Sequence, residues 1–138
     1  PQADERLIGL YKEHYQPSEL QPDPHAILTI GVFCADTEER AKQLQLTYDL
    51  NLFRFFTGQT NGVSMTPDEA LNYTIGSQEA AFIASRESSR AAGTPEQVRE
   101  KIESLAKRHK ADEIMAVTNM YYFEDRKRSF ELLQAAFQ

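Results

Sequence analysis

The sequence predicts an α/β fold built on a parallel sheet, and two apolar runs carry that reading. AILTIGVFCA at 26–35 is apolar on both sides of the strand alternation apart from Thr29, and EIMAVT at 113–118 is a second short run. Strands buried on both faces belong to parallel sheets wrapped in helices. The third observation is order: helix, strand, helix, irregular excursion, helix, strand, helix. Strands alternating with helices imply parallel pairing through right-handed crossovers.

Each element has a local reason. Leu7, Leu10, Tyr11 and His14 recur at helical spacing over 3–15, and Pro17, Pro22 and Pro24 then extend the chain. After the first strand, Asp36 or Thr37 caps a helix, Asp36 forming an approximate capping box with Glu39. Ala41, Leu44, Tyr48, Leu52 and Phe55 make its stripe, widened by Leu46, Leu50, Phe53 and Phe56, and Gly58 stops it. The excursion at 57–93 holds four glycines and many Ser, Thr and Asn, with short helices expected at 67–72 and 77–86. Thr94-Pro95-Glu96-Gln97 is a clear start signal: Thr94 caps, Pro95 sits first and Gln97 reaches back. Val98, Ile102, Leu105, Ala106 and His109 form that helix's buried stripe. A final helix is expected at 125–136, presenting Phe130, Leu133 and Phe137.

Composition excludes several classes. The 138 residues carry a net charge of -6 and are 41% hydrophobic, enough for one ordinary core. Nucleic-acid binding needs clustered Lys and Arg, whereas the basic stretch 99–110 is broken by Glu100 and Glu103 and reads as a solvated helix face. One cysteine, Cys34, makes no internal disulfide, no apolar run reaches the roughly 18 residues of a membrane helix, and the opening segment reads as helix rather than leader. A cytoplasmic protein is the expectation. The opening without Met further reads as a piece of something longer.

No glycine-rich fingerprint follows either strand, no Gly-x-Ser-x-Gly elbow occurs, and the histidines stand apart from one another and from Cys34. No metal site and no catalytic residue is therefore assigned. The acid pairs Asp112-Glu113 and Glu124-Asp125 read as caps at element starts. Cys34 lies at the carboxyl end of the first strand, where barrel active sites are built; the plainer reading is a small buried hydrophobe. Thr118 and Asn119 occupy the same end of the second strand. They are candidate cavity-lining, cofactor-binding residues, or else a strand-to-loop junction bonded to local backbone. The start of the helix after Gly93 is a weaker candidate for a phosphate.

Three segments read together resemble the luciferase-like family of flavin-dependent monooxygenases. They are LYKEHYQPSEL at 10–20 with ADTEERAKQL at 35–44, AAGTPEQVREKIESLAKRHKADEIMAVTNMY at 91–121, and DRKRSFELL at 125–133. The resemblance covers nearly the whole chain, is weakest at 59–90, and matches the last portion of family members. It implies the carboxyl-terminal part of a (β/α)8 TIM barrel, about the last two βα units plus a long excursion. It implies reduced FMN, or a deazaflavin in some relatives, at the carboxyl ends of the strands. Oxygen adds to the reduced flavin, which then oxidises an aldehyde or other small organic substrate, and a separate flavin reductase commonly supplies the electrons. A mobile active-site loop would fall within 57–90. Thr118 and Asn119 match a motif position without a fixed catalytic role. The residues that hold the flavin phosphate lie on earlier strands, so none is carried over.

Two strands where a barrel needs eight leave edges and a sheet face open. The chain alone is therefore expected to be inactive, and to self-associate or pair with the missing part of its barrel. The alternative is a stand-alone α/β binding or oligomerisation module.

Overall fold

The computed structural model describes residues 6–138. Helix α1 (Arg6–Glu13) leads through an extended segment into strand β1 (Ile27–Cys34). Then come α2 (Glu38–Phe56), the short α3 (Pro67–Leu71) and α4 (Ser77–Arg86). A 3-10 turn at Glu87–Ser89 feeds strand β2 (Arg90–Gly93), followed by α5 (Pro95–His109), β3 (Glu113–Val117) and α6 (Phe123–Ala136). The architecture is α/β, a three-stranded parallel sheet flanked by helices, in the order β2-β1-β3.

The two expected strands are parallel neighbours, with Leu28 opposite Ile114 and Ile30 opposite Ala116. The third strand, β2, pairs with the other edge of β1, Val32 opposite Ala91 and Cys34 opposite Gly93. The expectation of two strands is thus corrected. Arg-Ala-Ala-Gly has no β-branched or aromatic residue, so its local preference is not for a strand; pairing with β1 makes it one. The strand order also departs from the barrel expectation, because a barrel sets each βα unit beside the next. Here β1 lies between β2 and β3. Right-handed crossovers leaving in opposite directions carry their helices to opposite faces.

Packing follows that topology. Leu28, Ile30, Val32 and Cys34 of β1 and Ala91 of β2 meet Val98, Ile102 and Leu105 of α5, with Ile8 of α1 and Leu132 and Leu133 of α6 against them. On the opposite face Phe33 and Ala35 meet Ala41 and Leu44 of α2, beside Tyr48, Ala92 and Met120. That cover reaches the carboxyl half of β1 and the β2 edge, and leaves the start of β1 and the length of β3 open: Ile27, Met115 and Val117 remain 47%, 49% and 37% exposed. In α1 the residue that packs on the core is Ile8, whereas Leu7, Leu10 and Tyr11 are exposed. In α2, Leu50 and Phe53 are buried while Phe55 and Phe56 stand in solvent.

The caps explain the element starts. Thr37, not Asp36, caps α2, its hydroxyl accepting from Arg40 N. Thr66 with Glu69 and Thr94 with Gln97 close capping boxes on α3 and α5. Gly93 sits at φ +148, and a Cβ there would lie 2.9 Å from Gln97 Cβ. Glycine lets the strand turn directly into the capped helix. Asp112 and Glu113 do not cap a helix. Asp112 accepts from Lys12 Nζ at 2.7 Å and from Ala26 N at 2.9 Å, and Glu113 pairs with His25, so they tie α1 and the start of β1 to β3. No helix among the described residues is long and apolar enough to cross a membrane.

Candidate functional site

The carboxyl ends of the strands carry two crevices. The first, of about 280 Å³, lies between α2 and the loop after β3. Tyr48, Leu52 and Phe55 of α2 form its apolar wall, and Asn119, Met120 and Tyr121 face them. Tyr48 is steadied from behind by Phe33, ring centroids 5.6 Å apart. Asn51, also in the wall, is fully engaged, giving its amide to Met65 O at 2.8 Å and accepting from Met65 N at 2.7 Å. This pair of hydrogen bonds holds Met65, two residues before α3, against the side of α2. None of the residues lining the crevice is charged.

The second crevice, about 260 Å³, opens above β1, where Cys34, Asp36, Arg40, Asp125 and Arg128 meet. Two guanidinium forks clasp it. Arg40 reaches both oxygens of Asp125, at 3.3 and 2.7 Å. Arg128 reaches both oxygens of Asp36, at 3.1 and 2.6 Å. Such bidentate pairs are the geometry for which arginine is suited. The Arg128 hydrogen bond holds the Asp36 carboxyl below its usual range. Burial, helped by Asp36, pushes the Cys34 thiol up to about 11, while Arg128 pulls the other way. Cys34 is therefore a protonated, buried thiol at neutral pH, and its backbone N–H donates to Ser129 Oγ at 3.0 Å.

The sequence candidates separate. Asn119 lines the first crevice, whereas Thr118 is buried, is not among the residues lining it, and its hydroxyl has no hydrogen-bond partner among the described residues. Cys34 belongs to the second crevice. The two arginines went unnoticed in the sequence because each lies in an ordinary helical charge pattern; only the fold brings their acids to them. The buried pair of Asp49 on α2 and Arg90 on β2 went unnoticed for the same reason. Burial holds the Asp49 carboxyl above its usual range, against the pull of Arg90 and Arg86.

With that geometry in hand, the chain can be set beside known proteins. No family model matches it. It is 34% identical over 136 residues to the uncharacterised protein YwcH of Bacillus subtilis (strain 168), covering 99% of this chain and 41% of YwcH. It is 31% identical over 137 residues to YceB of the same organism, an uncharacterised protein of which it again covers 41%. Among solved structures, the crystal structure of apo-MsnO8 superposes with a TM-score of 0.83 at 26% identity, over 96% of this chain and 40% of that one. The chain thus spans about two fifths of the length of the relatives it matches.

These findings correct the family resemblance read from the sequence. What the chain is similar to is MsnO8 and the YwcH-like proteins, on a three-stranded parallel sheet. Membership of the luciferase-like monooxygenases is set aside, because the strand order is not that of successive barrel units. The segments that suggested it are mostly cap signatures and amphipathic helix, which many α/β chains share.

Proposed function

We propose that the crevice between α2 and the loop after β3 is one wall of a small-molecule site, and that it takes an uncharged organic ligand. The observation that carries this reading is the wall itself. In a chain with 26% charged residues, the crevice offers aromatic rings, Leu52, Met120 and the Asn119 amide, and no charged side chain. Ligand sites in open α/β sheets lie beyond the carboxyl ends of the strands, which is where this crevice lies. An apolar lining with a few polar groups is the usual composition of such a site. At about 280 Å³ it falls below the roughly 300–1,000 Å³ of complete ligand pockets. On this reading the remaining walls come from polypeptide outside this chain.

For the whole protein the proposed reaction is oxidation of that ligand by O2 with a reduced flavin. FMN is the first cofactor to test, a deazaflavin the second, and a separate reductase is the source of electrons. The residues of these two crevices do not fit the flavin's phosphate. The first crevice has no cation, and at the second both Arg40 and Arg128 are engaged by carboxylates. No step of flavin chemistry is therefore derived from this chain.

The test is a titration followed by NMR at Tyr48 and Asn119, using a medium-chain aldehyde and the matching carboxylic acid at pH 7. The aldehyde is expected to shift both signals saturably and the carboxylate to leave them in place. An equal or larger response to the carboxylate would sink the uncharged-ligand reading. FMN titrated into the same chain should show no micromolar binding by flavin fluorescence.

A second reading, a stand-alone binding or oligomerisation module, is favoured by the bare sheet face at Ile27, Met115 and Val117. Light scattering separates the two: a stable dimer abolished by Met115→Lys, together with no response to either probe, supports the module.

A further inference from the structure

A third cavity, of about 490 Å³, lies away from both crevices, between α2, β2 and the first turns of α5. Its volume is that of an ordinary small-ligand pocket. One wall is Arg90, only 3% exposed, whose Nη1 donates to the carboxylate of the fully buried Asp49. The opposite edge of the same guanidinium has no partner: Nε and Nη2 are both buried without a hydrogen bond among the described residues. A buried cation left half-satisfied is rare in folded proteins.

The chemistry of that edge is specific. Nε–H and the adjacent Nη2–H point the same way, a fork that matches two oxygens of a carboxylate or phosphate. Charge agrees with geometry. Arg86, its side chain 29% exposed, stands with its Nε 3.8 Å from Asp49 Oδ1, neither atom having a hydrogen bond among the described residues, so one carboxylate faces two guanidiniums. Around the cavity, Lys42 is engaged by Glu38, and Glu87 adds a further acid, while Lys101 has no partner among the described residues. Gln45 and Gln97 add amides to the lining.

The geometry points to a second binding site: the cavity between α2, β2 and α5 takes a small oxoanion, a carboxylate or a phosphate, on the Nε–Nη2 edge of Arg90, with Lys101 as the outer cation. Nε and Nη2 are themselves buried, so binding requires local movement that opens that edge to the cavity. The site is independent of the uncharged crevice, which shares none of its lining residues.

The experiment uses the full 138-residue chain with 15N-labelled arginine. Inorganic phosphate and acetate are titrated separately at constant ionic strength, and the Arg90 Nε–H signal is followed. At least one anion is expected to move it saturably, and the arm that does so identifies the oxoanion class. Arg90→Lys keeps the charge but loses the fork, and followed at the backbone amides of β2 it should weaken binding about tenfold or more. Lys101→Gln, a surface change that leaves the Asp49–Arg90 pair intact, should weaken it severalfold and serves if Arg90→Lys does not fold. No saturable shift with either anion in the unmodified chain, or an equal shift with chloride, overturns the site.

Discussion

The two faces of this small sheet are held in different ways. The face under α5 and α6 is closed by close-packed apolar side chains, Ile30, Val32, Val98 and Leu105 each at most 2% exposed. The face under α2 has apolar packing only near the strand ends. Farther in, it relies on the Asp49–Arg90 pair, and at the start of β1 and along β3 it is bare. Parallel sheets are ordinarily covered on both faces. The contrast leaves one side of this unit closed and part of the other open to solvent. Non-directional apolar burial and a buried ion pair respond differently to substitution, so the contrast is open to experiment.

The largest effect is expected on the charged side. Asp49→Ala strands Arg90 without its counter-ion and should cost about 3–5 kcal/mol, as breaking a buried pair does. Urea unfolding measures it, and a loss below 1 kcal/mol would mean that the pair contributes little to that face. On the apolar side, Leu105→Ala should cost about 2–5 kcal/mol with the denaturant slope unchanged. If the loss were only a few tenths, α5 would not be the clamp described.

Cys34 sharpens the comparison chemically. A thiol held at about 11 exposes at pH 8 roughly a hundredth or less of the thiolate of an ordinary cysteine near 8.5. Its reaction with a disulfide reagent should be slower by at least that factor, and rise to the free-thiol rate in denaturant. Fast native-state labelling would show that the strand end opens.

A smaller effect belongs to the clasp at the rim. Asp36 has a carboxyl pKa below the ordinary value of about 3.9 because of Arg128. Its contribution is therefore present above the unfolded value and is lost as pH falls through the folded one. The thermal midpoint of the unmodified chain should exceed that of Asp36→Asn at pH 7, and the gap should close as the solution is acidified below about pH 4. A gap independent of pH would rule out titration of Asp36 as its source. Smallest of all, Met115→Gln on the bare face should change stability by less than about 0.5 kcal/mol, while lowering any tendency to associate seen by light scattering.

Much of this architecture was legible in the residues. The two apolar runs gave β1 and β3, and Thr94-Pro95 and Thr66-Pro67 marked two helix starts, because those signals are local. What was not legible depends on partners distant in sequence. β2 is a strand only because β1 lies beside it, and its alanines carry no such preference. The order β2-β1-β3 leaves no trace in a string of alternating elements, so the reading fell back on successive neighbours and a barrel. Asn119, singled out for its place after a strand, lines the candidate crevice. Thr118, one residue earlier, was bracketed with it, although alternation turns its side chain away. Arg40, Arg128 and Arg90 were hidden because a guanidinium on a helix or strand shows its role only when the acid it meets, 85, 92 or 41 positions away, is known.

The hydrogen bond from Cys34 N to Ser129 Oγ spans 95 positions. A ribosome adding about 5–20 residues per second would release β1 some 5–20 s before the hydroxyl that completes its last peptide group exists. Until then the strand can pair with β2 as soon as that segment emerges, but its tip has no acceptor. α6 is thus the keystone in time as well as in space: the nascent unit stays open at one corner, and accessible to chaperones, until its final helix arrives.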